Sequence, residues 1–145
     1  MSSMSTAQPL LYPPLPQADQ LTQFFWDGVA AGRLMILRCD SCGFYIHLPK
    51  IVCRRCLSAS LTPTEVSGRG VLTTWTVPLQ PFDPYYQAHL PYVLAVVELE
   101  EQANLKMVTN MVDCEEADLR IEMPVAVTFR EIVPGLTLPL FAPSV

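Results

Sequence analysis

The stretch Cys39-Asp40-Ser41-Cys42-Gly43, followed after a ten-residue arm by Cys53-Arg54-Arg55-Cys56, decides how this chain folds. Two residues separate the cysteines of each pair, enough for a tight turn that brings both sulfurs to one ion, and the arm returns the second pair to the first. Cys39, Cys42, Cys53 and Cys56 are thus expected to surround one tetrahedral Zn²⁺ in a zinc ribbon. Iron in a rubredoxin-like site is the alternative that the ligand type leaves open. Four protein ligands leave no position for water or substrate, so the metal is expected to staple the fold and not to catalyse.

Other uses of these thiols fit less well. Disulfides need an oxidising compartment, and the first basic residue is Arg33, so no charged region opens a secretory signal. A reduced, cytoplasmic protein is expected. A thioredoxin-like pair would need a single Cys-x-x-Cys opening a helix, which neither pair offers. Gly43 follows the first knuckle, where a residue without Cβ can take positive φ, whereas Leu57 holds the matching place after Cys56 and predicts some strain there. Arg38, Lys50, Arg54 and Arg55 lie in or beside the knuckles, where they offset the net charge of −2 that four thiolates leave on a divalent ion.

With 145 residues, half of them hydrophobic, the chain can bury the core of one ordinary domain or of two small packed modules. Its apolar runs, such as Val93 to Val97, are far shorter than the roughly 20 residues of a spanning helix, so no membrane is expected as a partner. Residues 1–60 hold five basic and three acidic side chains, residues 61–145 four and eleven. A polyanion would meet mostly negative surface, which argues against nucleic acid.

Working outward from the knuckles, residues 1–33 read as a Pro-rich arm followed by a helix. Pro9, Pro13, Pro14 and Pro16 keep the arm extended, and the helix runs from Asp19 as N-cap through Ala31, ending at Gly32. Residues 34–62 form the ribbon, with short strands at Met35–Arg38 and Phe44–His47; it is too small to stand without metal. Residues 63–145 alternate strands with turns: Arg69–Leu79, Tyr92–Glu100, Leu105–Val112, Pro124–Arg130 and Leu136–Phe141. Five short strands predict an OB-fold barrel, with Cys114–Glu122 as a short plugging helix that Asp113 could cap. The fold class is mainly β.

Several residues admit two readings. Phe24, Phe25 and Trp26 fan around the helix at about 100° steps, so they cannot all face one narrow core. They are either clamped between the two modules or form a partner surface. Tyr92 to Val97 is apolar on both faces, so the barrel is expected to be covered there, by the ribbon and helix or by another subunit. Lys50, Arg54 and Arg55 could meet the phosphates of CoA, although charge compensation at the metal is the favoured reading. His47 falls between the knuckles and His89 in the long Pro81–Pro91 loop beside Phe82, Tyr85 and Tyr86; a strand position and a stiffened connector explain them without chemistry. Cys114 sits among carboxylates that disfavour its thiolate and reads as a small packed hydrophobe. No catalytic residue is assigned, and the chain is expected not to be an enzyme.

The chain resembles the acyl-CoA-associated OB-fold proteins that carry a rubredoxin-like zinc ribbon, long catalogued as a domain of unknown function. The resemblance runs from Phe25 to Pro143. It rests on Phe25-Trp26-x-x-Val29-x-x-Gly32-x-Leu34, the two knuckles, Ser67-Gly68-Arg69-Gly70-Val71-Leu72, Pro91-Tyr92-Val93, Val97-Glu98-Leu99, Met123-Pro124-Val125 and Pro139-x-Phe141-x-Pro143. Departures are Arg54 and Leu57 where the family has Pro and Gly, Glu122 where it has Gly, and Gln102-Ala103 where a turn Gly is usual. They put local turns in question.

The resemblance implies a non-catalytic subunit that supports a thiolase-superfamily enzyme, either a thiolase or a lipid-transfer-protein-like retro-aldolase of steroid side-chain degradation. It also implies a possible link to a hot-dog-fold enoyl-CoA hydratase, indirect contact with CoA thioesters, and a homodimer bridging two partners. A nucleic-acid-binding ribbon and OB module, and an independent CoA-thioester-binding protein, are the alternatives.

Overall fold

In a computed structural model of the protein, residues 11–144 are described, so the first part of the expected arm lies outside the described residues. Residues 11–18 take no regular secondary structure, although Pro13 is buried. Asp19 Oδ1 accepts from the N–H groups of Leu21 (3.0 Å) and Thr22 (2.9 Å), so it caps a turn that precedes the helix. The helix α1 therefore spans Gln23–Ala30 and not the whole of 19–31. It ends where Arg33 N–H reaches the Gly28 carbonyl (2.8 Å) and Gly32 N–H the Val29 carbonyl (3.0 Å), with Gly32 at φ +74.

Three strands build the ribbon: β1 (Met35–Cys39), β2 (Tyr45–Ile46) and β3 (Leu61–Glu65), in the order β2-β1-β3 and all antiparallel. The third strand was not expected, and it crosses the expected boundary at 62. Its residues are mostly exposed and include Pro63, so no apolar alternation marks it. Pairing with β1 creates it, and Pro63 is tolerated because β3 is an edge strand.

The remaining strands, β4 (Arg69–Thr76), β5 (Val93–Leu99), β6 (Lys106–Met111), β7 (Pro124–Val133) and β8 (Leu136–Pro143), close into a barrel ordered β4-β5-β6-β8-β7. The junction of β6 with β8 is parallel, through Met111 and Phe141, and the other pairs are antiparallel. This is the five-stranded OB arrangement. Alternate residues point inward, so Leu72, Val97, Leu99, Val125 and Phe141 are almost wholly buried. Gly70 permits the closure of β4 on β5, because a Cβ there would stand 2.2 Å from the Glu98 carbonyl oxygen.

The expected helix over Cys114–Glu122 is a single 3₁₀ turn, Glu116–Asp118. Asp113 does not cap it; its carboxylate pairs with Arg130, and its backbone lies at φ +59. The segment still delivers Leu119 and Met123 to the main core. That core is continuous with Phe25 and Val29 of α1 and with Leu34, Ile36 and Val66 around the ribbon, so the two modules share one apolar interior. Among the described residues no helix is long and apolar enough to cross a membrane.

Candidate metal centre and interaction surfaces

The two knuckles are built alike. Gly43 N–H donates to the Cys39 carbonyl at 2.9 Å, and Leu57 N–H to the Cys53 carbonyl at 2.8 Å. Cys39 N–H in turn reaches the Phe44 carbonyl and Cys53 N–H the Ser58 carbonyl, each at 2.9 Å. Ser41 Oγ donates to Ser58 Oγ (3.0 Å) and ties one knuckle to the other, while Asp40 accepts from Ser60 Oγ (2.8 Å) and Thr62 Oγ1 (2.9 Å) and fixes the start of β3.

All four sulfurs lie within 4.8 Å of one another, with Cys39 Sγ to Cys56 Sγ at 3.5 Å and Cys42 Sγ to Cys53 Sγ at 3.6 Å. A tetrahedron with Zn–S bonds of about 2.3 Å has edges of roughly 3.8 Å, so the set fits one zinc ion. Cys39 and Cys53 are buried and Cys56 is exposed.

The electrostatics also ask for a cation. The Cys42 N–H and further donors pull the Cys39 thiol down to about 6. Burial opposes ionisation of Cys53, but the N–H groups of Cys56 and Arg55 bring its pKa below the ordinary value. The Ser58 N–H favours a Cys56 thiolate, yet the neighbouring sulfurs of Cys39, Cys42 and Cys53, together with burial, push that thiol up to about 12. Four adjacent thiolates therefore cannot all form alone, and a divalent ion removes the conflict. Here the chain's part is to hold four sulfurs in place, and a bound zinc ion would supply the cross-link. His47 lies outside this group of four.

The arginines near the knuckles lie over aromatic faces. Arg38 lies 4.6 Å from the Tyr45 ring centroid and donates from Nε to the Gly43 carbonyl (2.9 Å). Arg54 and Arg55 approach the Phe44 ring at 5.1 and 5.9 Å. Among the described residues the ion pairs join Arg33 to Glu65, Arg69 to Glu100 and Arg130 to Asp113, leaving Lys50, Arg54 and Arg55 outside any pair. Lys50 and Arg54 border a cavity of about 240 Å³ shared with Phe44, Gln102 and Asn104; Arg55 is not part of its lining.

The aromatic helix sits mostly inside. Phe25 is 9 % exposed and cannot offer its ring to a partner in this conformation. It stands edge-on to Trp26 at 5.1 Å and tilts against His47 at 5.9 Å. Phe24 packs on both the main core and the ribbon core, and Trp26 is partly buried beside the main core. Clamping between the modules explains most of this helix.

A different apolar surface is open. Val96 and Val108 face each other across β5 and β6, and Leu94 follows on the same outer face; Val108 is 70 % and Leu94 37 % exposed, while Val96 is half-buried. Leu48 lies beside Val108 in a shared cavity, and Leu48, Ile51, Val52 and Leu57 are exposed on the knuckle side. The doubly apolar run Tyr92–Val97 signalled the barrel part in the sequence. Gln102 was missed: its side-chain amide accepts from Tyr45 N–H (2.9 Å) and donates to the Tyr45 carbonyl (3.0 Å), pinning β2 to the β5–β6 turn. No local pattern marks such a long-range contact.

Comparison with known proteins agrees with this architecture. Residues 26–62 match the family model described as "ChsH2, rubredoxin-like zinc ribbon domain", and residues 63–130 the model described as "ChsH2, C-terminal OB-fold domain". A probable enoyl-CoA hydratase alpha subunit from Thermomonospora curvata is 34 % identical over 91 % of this chain and 40 % of its own length. A 3-oxo-4,17-pregnadiene-20-carboxyl-CoA hydratase alpha subunit from Mycobacterium tuberculosis is 33 % identical over 79 % of this chain and 35 % of its own length. The chain thus spans well under half of these two relatives. A DUF35 domain-containing scaffold protein from Methanocaldococcus jannaschii is 33 % identical over 79 % of this chain and 80 % of its own length. The solved structure titled Ltp2-ChsH2(DUF35) aldolase contains a chain 34 % identical, covered completely by 90 % of this one, with a TM-score of 0.81. The chain belongs to the DUF35 family, as a ChsH2-type rubredoxin-like zinc ribbon joined to a C-terminal OB-fold.

Proposed function

We propose that this protein is a zinc-stapled accessory subunit that binds and supports a thiolase-superfamily acyl-CoA enzyme, a thiolase or a retro-aldolase. The observation that carries the reading is the exposed apolar patch of Val108, Leu94 and Leu48, with half-buried Val96 opposite Val108. An exposed apolar patch bordered by polar residues is a usual mark of a protein-binding site. Likeness to a scaffold protein and to a chain of an aldolase complex supports the same role. The one cysteine outside the two knuckles fits the same reading: burial first, then Asp118, Asp113 and Glu115, hold the Cys114 thiol above its ordinary value, which disfavours its thiolate.

The finer points rest on the same footing. Hydratase alpha-subunit relatives support a link to an enoyl-CoA hydratase, and the pregnadiene-carboxyl-CoA relative supports steroid side-chain degradation as the setting. Ribbon and barrel act as the two working modules, with Lys50 and Arg54 beside their cavity as the place for CoA phosphates and Arg55 as a counter-charge to the zinc site. A cytoplasmic location and a homodimer bridging two enzyme subunits complete the proposal.

Affinity capture from lysate of the source organism, with nuclease added, tests it. A thiolase-fold protein should be recovered in near-equal amount, and Val108→Glu should release it while leaving thermal stability unchanged. Recovery of no acyl-CoA enzyme would sink the proposal.

A further inference from the structure

The barrel is joined unevenly between β6 and β8. Among the described residues these strands share one residue pair, Met111 with Phe141, extended by Val112 N–H to the Phe141 carbonyl (2.8 Å). Thr109 Oγ1 then donates to the Pro139 carbonyl at 3.0 Å. Pro139 has no N–H, so β8 cannot carry the ladder back along β6 toward Val108.

The opposite edge of β6 pairs with β5 from Lys106 to Met111. Leu99 N–H reaches the Leu105 carbonyl at 2.8 Å, and the alternation of an antiparallel ladder then turns the amides of Met107, Thr109 and Met111 toward β5 and those of Lys106 and Val108 away from it. Among the described residues no strand or loop backbone answers Lys106 and Val108 on that side. Unanswered backbone donors and acceptors in a row are a template for another strand.

The side chains along this edge restrict what can pair there. Lys106 and Val108 point outward, because Met107 and Thr109 between and beside them are buried in the barrel. Lys106 is exposed, and although Glu98 stands opposite it on β5, Lys106 joins none of the ion pairs among the described residues. Next to Val108 a cavity of about 250 Å³ lies between β6 and β8, walled by Phe25 and Trp26 of α1, by His47 and Leu48 after β2, and by Leu138 and Leu140.

We propose that the Lys106–Val108 edge of β6 takes an extended segment of the partner enzyme as an added strand. An acidic residue of that segment stands opposite Lys106 and, two positions away, an aliphatic residue stands opposite Val108, because residues on one face of a strand recur at every second position. The residue between them points the other way, and its apolar side chain enters the cavity beside Val108. Main-chain bonds supply the affinity and these three side chains the selection, as in strand addition generally. Charge complementarity favours the enzyme over a second copy of this chain: antiparallel pairing of two copies centred on Val108 would set Asn110, an amide and not a carboxylate, opposite Lys106. The inference rests on the accessory-subunit reading and adds to it the way the enzyme is held.

The test reads residue-resolved amide exchange in the full zinc-loaded chain, free and in complex with the enzyme that it captures. Exchange at Lys106 and Val108 should slow by at least about tenfold in the complex. A peptide that reads alike in both directions, acetyl-Thr-Glu-Leu-Val-Leu-Glu-Thr-amide, probes the edge without the enzyme and should shift the Val108 amide resonance. Val108→Pro deletes the edge N–H without removing a bond to β5 and should weaken the peptide by about tenfold or more, whereas Val108→Thr keeps the backbone and should change it by less than about threefold. Lys106→Glu should reverse the preference between this peptide and its counterpart with Lys in place of both Glu residues. Zinc content and thermal midpoint establish that Val108→Pro is folded, and the charge exchange at Lys106 carries the test if it is not.

Protection of these amides already present in the free chain would assign the edge to a second copy or to the chain itself and overturn the proposal. So would absence of peptide binding at about 1 mM, or equal binding of both peptides by wild type and Lys106→Glu. Capture of an acyl-CoA enzyme with Lys106 and Val108 still exchanging fast would overturn strand addition and leave the accessory-subunit reading standing; capture of none would sink both.

Discussion

Leu57 repeats at the second knuckle the backbone that Gly43 adopts at the first, with φ of 64 and 77 and equivalent N–H bonds of 2.8 and 2.9 Å to the Cys53 and Cys39 carbonyls. Where the family resemblance led to an expectation of Gly, the chain keeps the left-handed turn and carries a side chain in it. Glu122 does the same at φ 66, and Asn104, beside the Gln102-Ala103 turn, at φ 64. The departures leave these turns intact and replace the residue that fits them best.

Left-handed backbone costs a branched side chain about 1–2 kcal/mol, partly offset in a glycine variant by about 0.5–1 kcal/mol of extra chain entropy. Leu57→Gly should therefore stabilise the zinc-loaded protein by roughly 0.5–1 kcal/mol in urea unfolding, with Glu122→Gly similar. The Leu57 side chain is 76 % exposed, so little packing is lost. Destabilisation by Leu57→Gly would show that this residue has contacts that outweigh its strain.

Gln102 holds the ribbon to the barrel through both backbone groups of Tyr45. Gln102→Ala should cost about 1–2 kcal/mol, because it leaves part-buried amide groups without partners. Amide hydrogen exchange at Tyr45 should speed up while exchange at Val97 in the barrel stays slow.

Burial lowers the His47 pKa, so its proton is bound more weakly in the folded state than in the unfolded one. Between its ordinary value of 6.5 and the lower folded value the unfolded chain carries more protons, so stability falls as pH drops through this window and levels off below it. Replacing His47 with Phe should flatten the dependence of thermal midpoint on pH between about 7 and about 5, with zinc content followed in parallel. An unchanged slope would assign the acid sensitivity to the metal site.

Zinc binding needs deprotonated sulfurs, so acid competes with the metal. Cys53→Ser should abolish stoichiometric zinc and the tetrahedral cobalt(II) spectrum, and it should lower the thermal midpoint of the whole chain. The barrel is expected to follow the ribbon because Leu34 and Ile36 share its core. Release to a chelator should quicken from about pH 8 to about pH 5.

The sequence by itself determined whatever depends on near neighbours. Cys-x-x-Cys spacing placed the four clustered sulfurs that could hold a metal ion, and period-two alternation placed the five barrel strands, because both are written in residues a few positions apart. The tertiary structure decided what long-range pairing controls. β3 exists because β1 offers it an edge, and the segment after Asp113 makes a single turn in which Asp113 engages Arg130 instead of capping a helix. Which aromatic faces inward, and that Val108 stays open while Phe25 is sealed, depends on how ribbon, helix and barrel meet, and no local pattern encodes the geometry of that meeting.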